Sequence, residues 1–466
     1  MEERDVLVIG AGPAGYAAAI RAAQLGGKVT IVEREALGGT CLNRGCIPTQ
    51  VFARAAELLE TGSHGKDYGI TFHDPIIDFS KLIARKDIVV KTLVAGVRTL
   101  LEGNRVEMEV GKAVFINARE LSITAPDGGR KTLHARNTII APGAGPKDFS
   151  ISGGEMIIDV TAVFQLKEIP HSMVILGADC VAMSLASVFS TLGTSVTVLE
   201  QSNSMLTGID REIVSQYQKE ARKTKIAHYA ECRIQAIEHD SNDGMRVLAN
   251  VKGEELIVNA QCIVNAEERE ADIKGLGLTG LGVTLNEKRG VAVDRTMRTN
   301  VDGLFAAGDV TMEHMWTAVA YMEGVVAAEN AMGRKSYADY GAVPYWTCTI
   351  PGVAGVGLTE EKAVESGYDV KSSRFYLAGN GMAVALGQRR GMLKLITERK
   401  YGQVLGVHIV GAQVAELIAE ASMAVKSELT AEDIGAVLHP HPSLSEAFWE
   451  TARSVGGNAI HLLPDK

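Results

Sequence analysis

Apolar and polar residues near the N-terminus follow one another in the order that is typical of a βαβ unit. The apolar run 6–9 enters a glycine-rich turn at 10–15, an amphipathic stretch follows, and a second apolar run ends on Glu33. Short apolar runs on either side of a helical pattern predict parallel strands joined by a crossover helix. We therefore predict strand, turn, helix and strand over residues 6–33.

The same order returns in the middle of the chain. An apolar run ends on Gly177, a helical stretch follows, and a further apolar run ends on Glu200. The first glycine and the terminal glutamate are 23 residues apart in both copies, from Gly10 to Glu33 and from Gly177 to Glu200. Two related units of this kind predict two nucleotide-type domains with parallel strands.

The segments outside these units differ in their patterning. Residues 75–110 predict a long amphipathic helix, residues 111–140 predict short strands, and strands alternate with helices from about residue 344 onward. The last part is therefore predicted to be a separate C-terminal domain. A chain of 466 residues is also longer than one hydrophobic core usually supports.

Composition narrows the classes of partner. The formal net charge is -9 and no run rich in Lys or Arg occurs, so a nucleic-acid partner is not expected. The N-terminus has neither the basic flank nor the apolar length of a signal peptide, and no apolar run reaches membrane-spanning length. We expect a cytoplasmic protein without membrane insertion.

The first glycine turn has the residues that a dinucleotide site needs. Gly12 lets the backbone approach a pyrophosphate, Gly15 permits close packing of the helix, and the helix N-terminus supplies partial positive charge. Glu33 is placed to accept hydrogen bonds from a ribose. A tight turn without a ligand is the alternative interpretation. An acid at the end of another apolar run, in Gly308-Asp309, favours the bound cofactor.

Cys41 and Cys46 follow this unit closely. Two residues five apart on an ideal helix have Cα atoms roughly 8.6 Å apart, beyond the roughly 7 Å that a disulfide spans. A bridge therefore requires irregular backbone, which Asn43 and Gly45 tolerate. In a reducing cytosol a disulfide is more often catalytic than structural. Two buried, inert thiols are the alternative.

His441 and Glu446 form another candidate pair near the C-terminus. Pro442 suits the first turn of a following helix, which would place His441 at the start of that helix. A histidine beside a carboxylate can act as a general base, and a structural histidine is the alternative. No third ligand is apparent nearby in the sequence, so no metal site is expected.

Two segments resemble a known family, Gly38-Gly-Thr-Cys41-Leu-Asn-Arg-Gly-Cys46-Ile-Pro and Gly303-Leu-Phe-Ala-Ala-Gly-Asp309. The chain resembles the pyridine nucleotide-disulfide oxidoreductases over essentially its whole length, and within them the dihydrolipoyl dehydrogenases. The resemblance implies FAD as cofactor, with Cys46 facing the flavin and Cys41 exchanging with substrate. The FAD-binding residues that it implies are Gly10, Gly12, Gly15, Glu33, Gly39, Thr40, Gly143, Gly308 and Asp309.

The resemblance also implies an oligomeric state and an architecture. His441 is then the general base for a dithiol and Glu446 orients it, with the histidine supplied by the other subunit of a homodimer. The implied fold is α/β, with two Rossmann-like dinucleotide-binding domains and a C-terminal α+β dimerisation domain. We predict a FAD-binding domain at 1–148, an NAD-binding-like domain at 149–270, a central second part of the FAD-binding domain at 271–343, and a dimerisation domain at 344–466.

The second unit departs from the family pattern where NAD should bind. Gly177 and Glu200 are retained and Ala182 is a tolerated third residue, but Asp179 replaces the second glycine of the turn. A carboxylate about 4 Å from a phosphate, at an effective dielectric of about 20, costs roughly 4 kcal/mol as an upper value. Normal NAD binding is therefore not expected, and weak binding of NAD in an altered pose is the alternative.

Further departures lie beside the flavin and the nicotinamide. Gln50 stands where the family has a lysine and Ser184 where it has a glutamate, and those two family residues pair beside the flavin. The family's Gly-Arg-Arg-Pro segment reads Glu267-Glu268-Arg269-Glu270. Negative charge is therefore added where a dinucleotide should lie.

The sequence favours an enzyme that oxidises carrier-bound dihydrolipoamide, or a similar small dithiol, through Cys41, Cys46 and FAD. NAD+ is the acceptor by family analogy. If the second site is closed, electrons leave through another acceptor, such as a small electron-transfer protein or a quinone. A reductase of another disulfide is a rival, although the C-terminus lacks the extra cysteines of mercuric and thioredoxin reductases. A non-catalytic flavoprotein subunit of a complex is a further alternative, which the intact cysteines and His441 disfavour.

Overall fold

The computed structural model describes residues 3–73, 75–147, 149–221, 224, 226–240, 244–267 and 269–463. Its N-terminal part has the predicted strand, turn, helix and strand. The elements of this part are, in chain order, β1 (Arg4–Ile9), α1 (Pro13–Gln24), β2 (Val29–Glu33), α2 (Gly39–Arg44), α3 (Cys46–Ser63), α4 (Phe79–Gly103), β3 (Glu107–Val110), β4 (Lys112–Asn117), β5 (Glu120–Thr124), β6 (Arg130–Ile140) and β7 (Ala144–Pro146). Strands β3, β2, β1 and β6 are parallel neighbours, and β5 and β4 continue the sheet in antiparallel fashion.

The middle part repeats the parallel arrangement. Its elements are β8 (Ile158–Asp159), β9 (Ser172–Leu176), α5 (Cys180–Thr191), β10 (Ser195–Leu199), α6 (Arg211–Ala221), β11 (Ile226–Tyr229), β12 (Cys232–His239), β13 (Met245–Val251), β14 (Glu254–Ala260), β15 (Cys262–Asn265) and β16 (Arg269–Ala271). A parallel sheet has the order β11, β10, β9, β15, β8, while β12, β13 and β14 form a separate antiparallel sheet. Strand β9 is therefore flanked by β10 and β15, so the segments after all three strands meet at one edge.

The chain then returns to the first sheet. Strand β17 (Leu304–Ala306) pairs in parallel with β6, and helix α7 (Thr317–Ala331) packs along α1. The two helices approach closely, because a Cβ at Gly324 of α7 would stand 2.2 Å from the carbonyl oxygen of Ala14 in α1. Strands β7 and β16 also pair, antiparallel, and this ladder joins the first part to the second.

The C-terminal part is an antiparallel sheet with helices. Its elements are β18 (Tyr345–Trp346), β19 (Gly352–Gly357), α8 (Glu360–Glu365), β20 (Val370–Tyr376), α9 (Gly381–Ala385), β21 (Met392–Glu398), β22 (Val404–Gly411), α10 (Val414–Lys426), α11 (Ala431–Ala436) and α12 (Glu446–Val455). The strand order is β18, β19, β22, β21, β20. Lys394 of β21 is 3% exposed and donates to both carboxylate oxygens of Asp210, at 3.0 and 2.9 Å, which ties this part to the second unit. The predicted fold class is confirmed, and the predicted domain boundaries stay predictions.

Candidate functional site

The glycine turn between β1 and α1 has the geometry that a dinucleotide phosphate requires. Gly10 has a φ of +93°, and a Cβ at Gly15 would stand 1.8 Å from the Gly10 carbonyl oxygen, so the backbone itself demands glycine at both positions. At Gly12 a Cβ would meet only the Cα of Gly39, at 3.8 Å. This open space, and the absence of a side-chain cap on α1, leave the helix amides available to an anion.

Glu33 closes this turn from the end of β2. Its carboxylate accepts hydrogen bonds from the Ala11 and Glu35 amides, at 2.7 and 2.8 Å. A cavity opens beside it at the carboxyl ends of β1 and β2. Gly143, with a φ of +84°, follows β6 near this cavity, and no atom lies within 4 Å of the position that its Cβ would take. The residues present therefore fit the adenosine half of a dinucleotide.

Gly308 and Asp309 lie at the end of β17, against the same helix. Gly308 has a φ of +80°, and a Cβ there would stand 2.9 Å from the Cβ of Ala14 in α1. Asp309 is partly buried, and its Oδ2 accepts a hydrogen bond from Nη1 of Arg269 at 2.8 Å. The second acidic candidate for the FAD site is therefore on the same side of α1 as the glycine turn.

Cys41 and Cys46 lie on two different helices, which confirms the expected break in the backbone. Cys41 belongs to α2, Cys46 is the first residue of α3, and Gly45 between them has φ −131° and ψ −103°. Asn43 fixes the short helix by donating from its amide nitrogen to two backbone carbonyls, both at 2.9 Å. The chain thus holds both sulfur atoms in one place without a continuous helix.

Gly39 and Thr40 bring the cysteine pair to the glycine turn. Gly39 has a φ of +58°, and a Cβ there would stand 2.6 Å from the Cα of Gly12. The carbonyl oxygen of Thr40 lies 3.2 Å from the position of a Cβ on Gly45. The thiols and the predicted phosphate turn therefore form one continuous site.

The two thiols differ in their electrostatics. Both are present as free thiols. The hydrogen bond with Cys41 lowers the pKa of the Cys46 thiol, burial opposes it, and the Thr317 hydroxyl, 3.4 Å from Cys46 Sγ, lowers it further. The same sulfur–sulfur contact, together with burial, raises the pKa of Cys41. Cys46 is therefore the thiol of the pair that ionises first.

Several residues beside the thiols were missed by the sequence reasoning. Thr317 is the first residue of α7, and Tyr321 follows one turn later on the same helix. The Tyr321 hydroxyl lies 2.6 Å from the hydroxyl of Tyr16 in α1, and burial raises the pKa of both phenols. For Thr317 and Tyr321 the sequence does contain a clue, because residues four apart lie on one face of a helix.

His441 and Glu446 are in direct contact. The imidazole Nδ1 lies 2.8 Å from Oε1 of Glu446, and Oε2 of Glu446 accepts from the Ser443 amide, also at 2.8 Å. Burial alone would raise the pKa of Glu446, but the hydrogen bonds from His441 and Ser443 lower it. The contact orients the ring and leaves Nε2 on its other side.

The position of this pair differs from the sequence expectation in one respect. Helix α12 begins at Glu446, so the prediction that Pro442 occupies the first helical turn is wrong. A turn held by the Glu446 carboxylate intervenes. The His441 side chain is 79% exposed, and no hydrogen bond between described residues joins it to Cys41 or Cys46 in the same chain.

The turn of the second unit copies the backbone of the first but not its chemistry. Asp179 precedes α5 with φ −76° and ψ −173°, compared with −71° and −176° at Gly12. One carboxylate oxygen of Asp179 accepts hydrogen bonds from the amides of Val181 and Ala182, both at 2.9 Å. The helix N-terminus that would receive a pyrophosphate is thus bound by a side chain of its own turn.

Glu200 occupies the place that Glu33 has in the first unit. Its carboxylate accepts from the Ala178 and Ser202 amides, at 2.7 and 2.6 Å. Only 9% of the residue is exposed. The acidic end of the predicted NAD motif is therefore built like that of the FAD motif.

A side-chain contact crosses the second turn. Glu267, after β15, accepts a hydrogen bond at 3.2 Å from Nε2 of Gln201, after β10. Gly177 lies between them, and a Cβ there would stand 3.0 Å from the Cβ of Glu267. Glu268, the other glutamate of this segment that is predicted to add negative charge, is outside the described residues. The added glutamate at 267 thus lies against Gly177 of the turn. Arg269 does not face this turn but donates a hydrogen bond to Asp309.

Gln50 and Ser184 do not pair with each other in the described contacts but meet at Cys348. The Gln50 amide donates to Cys348 Sγ at 2.8 Å, and the Ser184 hydroxyl accepts from the Cys348 amide at 3.0 Å. Burial raises the pKa of Cys348 to about 11, so its thiol stays protonated near neutral pH. The cluster that stands where the family has an ion pair is therefore uncharged.

The structure brings most of the predicted site residues into two groups. The glycine turn, Asp309 and the two cysteines form one group, while the His441 and Glu446 pair lies apart on the C-terminal part. Within the described ranges, no group of His, Cys, Asp and Glu side chains has the arrangement of a metal site. None of the helices in the described part of the chain is long and apolar enough to cross a membrane.

Comparisons with known proteins agree with this architecture. The family model described as pyridine nucleotide-disulphide oxidoreductase matches residues 4–329, and the model of its dimerisation domain matches residues 343–452. Dihydrolipoyl dehydrogenase of Bacillus subtilis is 36% identical over 463 residues, which are 99% of this chain and 98% of the relative. Dihydrolipoyl dehydrogenase of Thermus scotoductus is 38% identical over 471 residues, with coverage of 99% and 100%.

A solved structure extends the likeness to three dimensions. The Cu(II) complex of the HOCl-induced flavoprotein disulfide reductase RclA from Escherichia coli has a TM-score of 0.87 and 27% identity, covering 98% of this chain and 100% of that one. The match of a dimerisation domain supports a homodimer. The chain belongs to the pyridine nucleotide-disulphide oxidoreductase family and is a FAD-dependent disulfide oxidoreductase similar to dihydrolipoyl dehydrogenase.

Proposed function

We propose that this enzyme oxidises a small dithiol, with dihydrolipoamide on a carrier protein as the substrate, through Cys41 and Cys46. The observation that carries the proposal is the unequal pair of thiols beside the glycine turn: their mutual hydrogen bond lowers the pKa of Cys46 and raises that of Cys41. Such a pair has one sulfur suited to leave as a thiolate and one suited to be attacked. FAD, when bound, supplies an acceptor for the electron pair.

The sulfur chemistry balances without further reagents. A substrate thiolate attacks Cys41 of the oxidised pair, the bond between the two cysteine sulfurs breaks, and Cys46 leaves as a thiolate beside the Thr317 hydroxyl. The second substrate thiol then attacks the substrate sulfur of the mixed disulfide. The bond between Cys41 and the substrate breaks, the substrate leaves as a disulfide, and the Cys41 sulfur takes the proton of the second substrate thiol, while the base holds the proton of the first.

We assign the base to His441, contributed by the second subunit of the homodimer. Its Nδ1 is held by Glu446 at 2.8 Å, which leaves Nε2 to take the thiol proton. An imidazole that is 79% exposed in one chain, on a part that matches a dimerisation domain, is consistent with use by a neighbouring subunit. A thiol with a pKa near 8.5 needs such a base at neutral pH.

We further propose that NAD+ is not an efficient acceptor. Asp179 occupies the helix amides that a pyrophosphate would use, and the Gln201 and Glu267 contact crosses the same turn. At the roughly 4 kcal/mol estimated for a carboxylate about 4 Å from a phosphate, the affinity falls by about three decades. Electrons would then leave through another acceptor, such as an electron-transfer protein or a quinone.

Anaerobic reduction of the flavin separates these two proposals. Dihydrolipoamide is expected to reduce the purified protein rapidly, and NADH far more slowly, when both are followed by stopped-flow absorbance. Rapid reduction by micromolar NADH would overturn the proposal on the acceptor and leave the dithiol chemistry intact. Failure of dihydrolipoamide to reduce the flavin, with an artificial dye as the final acceptor, would favour a non-catalytic subunit.

A pair of histidine variants tests the shared site. His441→Ala is expected to lower dithiol oxidation by about two to four decades, the usual contribution of a general base. His439→Ala is the matched control, because His439 also contacts a glutamate, Glu420, at 2.9 Å but is not the assigned base. Mixing His441→Ala with Cys41→Ser should restore activity in hybrid dimers. Demonstrated hybrids without any recovery would contradict a site shared between subunits.

A second candidate function is the reduction of a disulfide. The likeness to a flavoprotein disulfide reductase at a TM-score of 0.87 favours it, because the same sulfur exchange runs in both directions. Chemically reduced protein can be mixed with lipoamide and with a linear disulfide such as glutathione disulfide. Faster reoxidation by the linear disulfide would favour the reductase, and faster reoxidation by lipoamide would favour the dithiol proposal.

A further inference from the structure

Helix α7 contains a buried glutamate that the proposed chemistry does not use. Glu323 is 1% exposed. Its Oε2 accepts a hydrogen bond from the Gly308 amide at 2.7 Å, and its Oε1 accepts one from the Tyr340 hydroxyl at 2.9 Å. One carboxylate therefore joins the turn before Asp309 to the segment 332–344 that leads into the C-terminal part.

The surroundings of this carboxylate oppose its charge. Burial raises the pKa of Glu323 to about 7, and the nearby acids Asp309 and Glu313 act in the same direction. Its two described hydrogen-bond donors are neutral groups. A buried carboxyl group in such a place costs stability unless its hydrogen bonds offset that cost.

The Gly308 turn is held between this contact and helix α1. Gly308 has a φ of +80° and is packed against Ala14, where a Cβ would stand 2.9 Å from the Ala14 Cβ. Gly324, the neighbour of Glu323, is packed against the same residue of α1. Glu323 is thus held close to α1, and it contacts the turn at the amide of the residue before Asp309.

The other end of the link lies in the connecting segment. The Tyr340 ring stacks on the His314 ring, with centroids 4.5 Å apart and an interplanar angle of 27°. Asp339, next to it, forms an ion pair with Lys426 of α10. The hydrogen bond from Tyr340 to Glu323 therefore connects the docking of the C-terminal part to the Asp309 turn.

We propose that Glu323 is a positioning residue for FAD, which holds the Gly308 amide so that Asp309 faces the cofactor and which Tyr340 keeps in place from the connecting segment. The proposal rests on FAD as the cofactor and not on the identity of the substrate or the acceptor. Glu323 acts through Asp309. Its removal therefore weakens FAD retention more than it weakens the fold.

The test measures FAD release from the diluted holoprotein by flavin fluorescence, alongside thermal unfolding by circular dichroism. Glu323→Ala is expected to weaken FAD binding by about ten- to a hundredfold, because a buried amide loses its acceptor. Glu323→Gln keeps an oxygen for Gly308 and is expected to retain FAD almost as the unmodified protein does. Glu329→Gln is the matched control, since Glu329 lies on the same helix as Glu323 but away from the turn, where it pairs with Arg21 of α1.

Combination with Asp309→Asn distinguishes positioning from a purely structural role. If Glu323 acts through Asp309, Glu323→Ala adds little to the loss already caused by Asp309→Asn. Full additivity of the two losses, or unchanged FAD affinity in Glu323→Ala, would overturn the proposal. Should Glu323→Ala fail to fold, Tyr340→Phe replaces it, with an expected two- to fivefold weakening of FAD binding that disappears in the Asp309→Asn background; no weakening would overturn the proposal equally.

Discussion

The two βαβ units have the same backbone at their turns and opposite chemistry at the helix N-terminus. In the first unit Gly12 leaves the amides of α1 without a side-chain cap, and in the second Asp179 caps α5 through the Val181 and Ala182 amides. The glutamates that end the two motifs, Glu33 and Glu200, each accept hydrogen bonds from two backbone amides. The fold of such a unit is therefore independent of whether its phosphate site is open.

The difference between the two turns also concerns the stability of the helix and its capacity to bind an anion. An aspartate cap typically stabilises a helix by about 1 kcal/mol, whereas an uncapped N-terminus keeps its donors for a ligand. The second unit has the cap and the first has the donors. On this basis we expect FAD at the first turn, whereas Asp179 already caps the second.

Introducing the aspartate of the second turn into the first turn should have the largest effect, on FAD affinity. Gly12→Asp places a carboxylate on the α1 amides, so FAD affinity is expected to fall by about three decades, from a repulsion of roughly 4 kcal/mol. The protein should purify almost colourless, as measured by its visible absorbance. Gly12→Ala, which adds only a Cβ to open space, should lose much less; equal loss in both variants would assign the effect to bulk and not to charge.

Replacing Asp179 by glycine in the second turn should have a smaller effect, on NAD+ affinity. Asp179→Gly is expected to raise NAD+ affinity by about one to three decades and to lower the free energy of unfolding by only a few tenths of a kcal/mol, because glycine is itself a tolerated N-cap residue. Calorimetric titration and thermal unfolding measure the two effects. Asp179→Asn keeps a capping oxygen without the charge and should retain the stability. Unchanged NAD+ affinity in Asp179→Gly would point to the Gln201 and Glu267 contact as the dominant barrier.

The matched glutamates should have similar structural effects and different functional ones. Glu33→Gln and Glu200→Gln each leave one of two backbone amides without an acceptor, because the side-chain NH2 of glutamine only donates. Both variants should therefore lower the free energy of unfolding by about 1–2 kcal/mol. Only Glu33→Gln is expected to reduce FAD affinity. Dithiol oxidation is measured in both variants. If Glu200→Gln with its full complement of FAD loses as much activity as Glu33→Gln, the second unit contributes to the measured reaction.

The smallest expected effect concerns the thiols that the first unit carries beside its turn. The Thr317 hydroxyl helps to lower the pKa of Cys46, so Thr317→Ala should raise that pKa by less than about one unit and shift thiolate formation to higher pH. The pH dependence of iodoacetamide alkylation of the reduced protein measures the shift. Thr317→Ser should restore the original midpoint, and a shift to lower pH would contradict the assigned hydrogen bond.

Local patterns in the sequence were sufficient for the fold and for the first site. The spacing of apolar runs and glycines predicted both units, and the five-residue separation of Cys41 and Cys46 predicted the helix break now seen at Gly45. These features depend on backbone geometry within one segment. The exception is Pro442, where the Glu446 carboxylate holds a turn that local propensity did not predict.

Contacts between segments that are far apart in the sequence could not be predicted from local patterns. Gln50 and Cys348 are 298 positions apart, and Cys46 and Thr317 are 271 apart, so no local spacing relates them. Glu323 is one of two glutamates in a largely apolar helix, and only its burial beside Gly308 distinguishes it from Glu329. For Asp179 the sequence indicated repulsion of a phosphate, whereas its use as a helix cap required the side-chain direction.

The near-identical dihedral angles at Gly12 and Asp179 have a consequence for the history of the second turn. Because the backbone there already has the conformation of an open turn, replacing the aspartate requires no compensating rearrangement of the chain. Aspartate and glycine codons differ by a single base, as do glutamate and glycine codons. Two point mutations, at Asp179 and Glu267, would therefore remove both of the carboxylates that we propose to obstruct this turn.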